Sequence, residues 1–363
     1  MTLEEKIEQA LSSISPLDTA AMERARAHQA ALAKPPGSLG KLEDISIRLA
    51  GITGELNCRV NKKRIIVLCA DNGITEEGVS TTPRSVTAAQ AVNMTKHLTG
   101  MSVMAKHFGN EVTVVDMGIY DEYFCPEILD RRIARGTGNF AREPAMTREQ
   151  AAQAVMTGMD LAGDAKASGV DILGVGEMGI GNTTTSAAVL SALTGLPAED
   201  VTGRGSGMTD ARYRRKIELI KRVLLLHHPN GKDPLDVLSK VGGFDIAAMC
   251  GVFLGAARCR MPVVIDGFIS IVAALCAVRL CPAVAGYLFP SHASREIGYA
   301  AAAKELGLEP WLLLDMRLGE GSGCPIAFEI ISAACAVMNG MATFSGASID
   351  DSYLDDIRGK DCF

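Results

Sequence analysis

Glu320 stands in the segment whose residue types bear most directly on chemistry, Asp315-Met-Arg-Leu-Gly-Glu320-Gly-Ser-Gly323. Flanked by Gly319 and Gly321, after an apolar β-prone stretch and before a helix, its carboxylate is presented with little bulk around it, as a general base requires. The plainer alternative is an acid resting near a helix N-terminus, where the dipole stabilises its charge and weakens it as a base. Glu177, in Gly174-Val-Gly-Glu-Met-Gly179, supplies a second carboxylate in a loop of the same kind.

That second segment also fits a GxGxxG fingerprint, but no strand ending in an acid follows about 20 residues on, as a dinucleotide site needs. The overlapping Gly176-x-x-x-x-Gly181-Asn182-Thr183 resembles a triphosphate-binding loop with asparagine in place of the essential lysine. What survives is a turn, Gly179-Ile-Gly181-Asn182-Thr183-Thr184, opening a helix whose first N–H groups suit one phosphate. Thr202-Gly203-Arg204-Gly205-Ser206-Gly207 adds backbone donors, a guanidinium and a hydroxyl. Two such loops point to a monophosphate ester; tight helix–strand packing is the other account of their glycines. Ser80, in Gly78-Val-Ser-Thr-Thr-Pro83, and Gln90, on the helix that follows, offer edge hydrogen bonds beside apolar faces, which suits a flat heteroaromatic ring.

The elements that must position these groups are short apolar β-prone runs at 64–69, 111–115, 170–175, 262–265, 284–288 and 311–314, separated by helical or glycine-rich stretches. This pattern predicts an α/β fold with a mainly parallel six-stranded sheet and helices on both faces, its ligands beyond the carboxyl ends of the strands. Residues 1–56 read as helices, with a Thr2–Glu5 capping-box pattern, a second helix opened by Ser15-Pro16 and a third run from Lys41 to Ala50. A long apolar helix from Pro325 to Met341 precedes an acidic tail. The expected division is a small helical domain, 1–60 with 325–363, and a large α/β domain, 61–324.

Composition narrows the function classes. At 363 residues, 48% apolar and 21% charged, the chain is globular, and its net charge of −6 lacks the basic excess that nucleic acid demands. No secretory signal and no membrane-length apolar run is visible, so a cytoplasmic protein is expected. The ten cysteines, Cys362 among them, form no Cys-x-x-Cys, and the six histidines no ligand spacing; they read as core residues, and no metal and no cofactor is expected.

Taken together, the chain resembles the nicotinate-nucleotide:dimethylbenzimidazole phosphoribosyltransferase family. The resemblance is carried, in order, by Lys34-Pro-Pro-Gly-Ser-Leu-Gly40, Ala70-Asp-Asn-Gly73 with Glu77-Gly-Val-Ser80, Gly176-Glu-Met-Gly-Ile-Gly-Asn-Thr-Thr184, Gly203-Arg-Gly-Ser-Gly207, Gly242-Gly-Phe-Asp-Ile-Ala247, Asp266-Gly267, Ser291-His292 and Leu318-Gly-Glu-Gly-Ser-Gly323. It implies a Rossmann-like domain with a small helical domain, a homodimer, and transfer of phosphoribose from nicotinate mononucleotide to a benzimidazole-type base. It also implies roles: Glu320 as the base, Glu177 as a second acid, Ser80 and Gln90 near the benzimidazole, the two glycine loops at the nucleotide phosphate, Lys216 near the nucleotide, and Ser291, Leu318, Gly319 and Gly321 as further substrate-binding residues. Another N-glycosyl transfer or phosphorolysis, and a non-catalytic nucleotide sensor, are the competing readings.

Overall fold

In a computed structural model that describes residues 1–356, the chain forms two compact units. The larger comprises Met1–Ser15 and Lys62–Ala327; the smaller comprises Pro16–Asn61 and the chain from Phe328 onward.

The larger unit is built on one six-stranded parallel sheet: β1 (Lys63–Ala70), β2 (Glu111–Gly118), β3 (Leu129–Asp130), β4 (Ile172–Met178), β5 (Val263–Ile265) and β6 (Leu288–Pro290). The order is β3-β2-β1-β4-β5-β6. β1 and β4 are buried along most of their length, which is why they read as unbroken apolar runs rather than alternating ones. The direction of winding reverses between β1 and β4, paired from Lys63↔Ile172 to Cys69↔Met178, so a crevice opens beyond Ala70 and Met178. Met1–Ser15 is fastened within this unit by Arg148, whose guanidinium reaches both carboxylate oxygens of Glu4 at 2.8 and 2.9 Å. The Thr2–Glu5 capping box forms as its sequence predicts.

The sequence predicts six strands and six occur among the described residues, but they are not the same six. Of the predicted run 284–288 only Leu288 is strand: Pro282–Tyr287 winds into a 3-10 turn, its proline pre-setting φ at the first position, and β6 begins at Leu288. Residues 311–314 join no ladder. Trp311 and Leu312 both donate to Ser291 O, and Leu312 makes a single parallel bridge to His292 beyond the end of β6. β3 leaves no mark in the sequence because two residues carry no period; it is held by its pairing with Val115 and Asp116. The second helix starts at Thr19, capped by Asp18, rather than at Pro16.

The smaller unit packs the helices Thr19–Ala31 and Lys41–Thr53 around Ile45, Leu49 and Ile52. His28 Nε2 meets Met338 O at 3.0 Å, and Leu32 bridges Thr343 in antiparallel fashion. A buried Lys34–Glu43 pair at 2.7 Å pins the Lys34-Pro-Pro-Gly turn to its helix. The nine cysteines among the described residues form no disulfide and are mostly buried; Cys362 lies outside those residues. No described helix is long and apolar enough to cross a membrane.

Candidate active site

A cavity of about 380 Å³ opens where the winding reverses, within the larger unit. Glu177 enters it from the end of β4. Residues Gly179, Gly181, Asn182 and Thr183 form one wall where β4 turns into the helix Asn182–Thr194, and Arg204, Gly205 and Ser206 form the next. Ser80 and Gln90, the apolar Val79, Val86 and Met178, and Leu318, Gly319 and Glu320 also line it. Segments far apart in sequence thus converge because each follows a parallel strand or packs on one that does.

Other expected residues stand behind the walls. Thr184 is fully buried and its Oγ1 meets no hydrogen-bond partner. Lys216, also fully buried, donates to Thr183 Oγ1 at 3.0 Å and Gly203 O at 3.2 Å, so it braces the two glycine loops from within; burial pulls its ammonium down to about 8. Ser291 donates to Asp266 O at 3.0 Å, and Gly321 is turned to Asp266. The Asn182 amide donates to Glu177 Oε2 and, at 3.0 Å, to Asp245 Oδ2, so its side chain is occupied by two carboxyls. Arg204 pairs with Asp210 at 2.6 Å and lies over the Tyr213 ring.

The Glu320 loop is unusual in its backbone. Gly319, Glu320 and Gly321 have φ of +83°, +65° and +90°, three consecutive residues in the left-handed region. A side chain at Gly319 would strike Glu177 Oε1, so both its conformation and its bareness are needed there. Glu320 is 5% exposed, and its Oε2 accepts the Met101 N–H at 3.2 Å in the first turn of the helix Gly100–His107. The alternative of a helix terminus is therefore met by a different helix from the one that follows Glu320. The Glu320 side chain otherwise faces the cavity it lines.

Buried acids crowd the strand ends. Burial and the charge of Asp245 push Glu177 up to about 8, and burial raises Asp266 to about 7 against the opposing pull of the Gly323 and Gly321 amides. Asp245 and Asp71 rise to about 6 for the same chief reason. His292, also on the cavity wall, falls to about 4 through burial and is neutral. Asp266, His292 and Glu296 line the cavity and Asp245 stands behind it against Asn182; the first two and Asp245 fall in segments that carry the family resemblance, but sequence reasoning gave none of the four a role. The available signal was positional: Asp266 and His292 each stand just past the end of a buried apolar strand. No group of three His, Cys, Asp or Glu among the described residues is arranged to hold a metal.

A family model described as phosphoribosyltransferase matches residues 14–349. The nicotinate-nucleotide–dimethylbenzimidazole phosphoribosyltransferase of Clostridium perfringens is 51% identical over 357 residues, 98% of this chain and 99% of that one. The enzyme of that name from Escherichia coli O127:H6 is 47% identical over 341 residues, 93% and 95% of the two chains. A crystal structure of the Thermus thermophilus enzyme superposes with a TM-score of 0.87 at 37% identity, covering 92% of this chain and 99% of that one. With identity of this order along nearly its whole length and the same fold, the chain belongs to the nicotinate-nucleotide–dimethylbenzimidazole phosphoribosyltransferase family.

Proposed function

We propose that the protein transfers the 5-phosphoribosyl group of nicotinate mononucleotide to 5,6-dimethylbenzimidazole, giving α-ribazole 5′-phosphate and nicotinate. The relatives are named for this reaction, and the observation that carries the residue assignment is the buried Glu320 carboxylate, anchored through one oxygen on the Met101 N–H at 3.2 Å.

In nicotinate mononucleotide the leaving group is a pyridinium, so the C1′–N pair returns to the ring nitrogen and the ring departs without a general acid. Only the nucleophile needs activation. Glu320 accepts the benzimidazole N–H proton while the other ring nitrogen attacks C1′ from the opposite face, turning a β-nucleotide into an α-nucleotide. The phosphate is held by the Gly179–Thr183 and Arg204–Ser206 walls, with the Lys216 charge behind both, and the base lies between Ser80 and Gln90. Glu177, raised to about 8, is predominantly a neutral acid at pH 7 and orients the Glu320 loop. This reading includes a homodimer at work in the cytoplasm, which sedimentation and fractionation address. The test of the reaction is release of free nicotinate only when dimethylbenzimidazole is present, with the α-anomer identified by NMR.

A further inference from the structure

We propose that Asp266 is a positioning residue for Glu320: its carboxylate fastens the backbone just after Glu320 and so holds the base in its left-handed conformation. The inference rests on Glu320 being the base of the reaction above.

Gly319 and Gly321 adopt positive φ freely, but Glu320 at +65° does not, and it reverts unless its surroundings over-determine it. Three residues do so, through four hydrogen bonds. The Glu320 N–H donates to Glu177 Oε1 at 3.4 Å, and its Oε2 accepts from Met101 at 3.2 Å. The shortest contacts belong to Asp266, whose Oδ2 takes the Gly321 N–H at 3.0 Å and whose Oδ1 takes the Gly323 N–H at 2.7 Å. One carboxylate thus spans the last left-handed residue and the residue before the helix Cys324–Gly340, a geometry that only a two-oxygen acceptor provides.

Asp266 is itself immobilised. It follows β5, is 2% exposed, donates its N–H to Ser270 Oγ at 2.9 Å and accepts the Ser291 hydroxyl on its carbonyl at 3.0 Å. A carboxylate buried beside another carboxylate costs stability, so its retention here needs a reason beyond packing. The reason offered by the contacts is that the central sheet dictates where the Glu320 carboxylate points.

Asp266→Asn replaces one acceptor oxygen with a donor facing a backbone N–H. With nicotinate mononucleotide and dimethylbenzimidazole, kcat is expected to fall by about 10²-fold, the usual scale for displacing a reacting group by about an ångström. The Kd for nicotinate mononucleotide alone, by calorimetry, stays within about threefold, because the phosphate walls are untouched. The decisive comparison is Glu320→Gln against Glu320→Gln/Asp266→Asn. If Asp266 acts through Glu320, the double variant is no slower than the single one within about twofold. Losses that multiply, a Kd that rises in step with the loss in kcat, or a near-normal Asp266→Asn would overturn the proposal. Should Asp266→Asn not fold, Asp266→Ser, smaller and able to admit water, takes its place, with the same results supporting or overturning the proposal. An unmutated enzyme that fails to release nicotinate would refute the parent reaction instead, so the two failures are told apart.

Discussion

The backbone N–H of Glu320 donates to Glu177 Oε1 at 3.4 Å, and Gly319 lies against that same oxygen. The two acids of the site are thus mechanically joined: whatever moves Glu177 moves the loop that carries Glu320. Gly319→Ala tests this joint. The added methyl would strike Glu177 Oε1, and φ of +83° suits no alanine, a strain of about 1 kcal/mol or more. kcat is expected to drop at least about tenfold with nucleotide affinity largely kept. Unchanged kcat in a folded Gly319→Ala protein would show that the two acids are independent.

Lys216 is buried, donates to two neutral oxygens and has the charge of Glu296 acting on it, but burial outweighs that attraction, so its charge costs stability and serves the loops it braces. Lys216→Met should therefore fold with an equal or higher Tm, since a methionine fills the space without a charge to desolvate. It should also weaken nicotinate mononucleotide binding by at least about tenfold, the loss of one charge-assisted anion interaction. Calorimetry paired with thermal unfolding separates the two effects; a large loss of Tm with normal affinity would make Lys216 a structural residue only.

The buried acids make stability depend on pH in an unusual direction. Glu177 near 8, Asp266 near 7, and Asp245 and Asp71 near 6 all lie above their ordinary values of 4.5 or 3.8, so the folded state holds protons that the unfolded chain has released. Their stabilising contribution is complete below the unfolded values and is lost as pH rises through 6, 7 and 8. Lys216 runs the other way over a later window, since the unfolded chain binds its proton between about 8 and 10.5. Tm of the ligand-free protein should accordingly fall between pH 5 and pH 8. Glu177→Gln, which removes the group with the highest shifted value, should shrink that fall. A Tm that climbs steadily from pH 5 to pH 8 would contradict the assignment.

Much of this was legible in the sequence, for physical reasons that differ by element. β1, β2, β4 and β5 announced themselves because buried parallel strands must be apolar on both faces, and the glycine-flanked Glu320 stood out because only a special backbone needs that spacing. Residues 284–288 misled because an apolar run opened by a proline is equally a 3-10 turn, and 311–314 because β-prone residues do not reveal whether a partner edge is available. Asp266 could not be told from an ordinary strand-end acid, since its partners, Gly321 and Gly323, lie more than fifty residues away. The tie between Met101 and Glu320 was invisible for the same reason: a backbone N–H has no residue-type signature.

The assignment of Glu320 as the proton acceptor is tested most directly by kcat of Glu320→Gln with nicotinate mononucleotide and dimethylbenzimidazole, beside Glu177→Gln. The amide keeps the size of Glu320 and can still accept the Met101 N–H, yet it cannot take the benzimidazole proton. kcat should fall by about 10² to 10⁴-fold with Kd for the nucleotide barely changed. Glu177→Gln should be milder, because burial and the Asp245 charge favour the neutral form of Glu177, which an amide approximates. A Glu320→Gln enzyme with near-normal kcat, or Glu177→Gln clearly the more damaged of two equally folded proteins, would contradict the assignment of the base to Glu320.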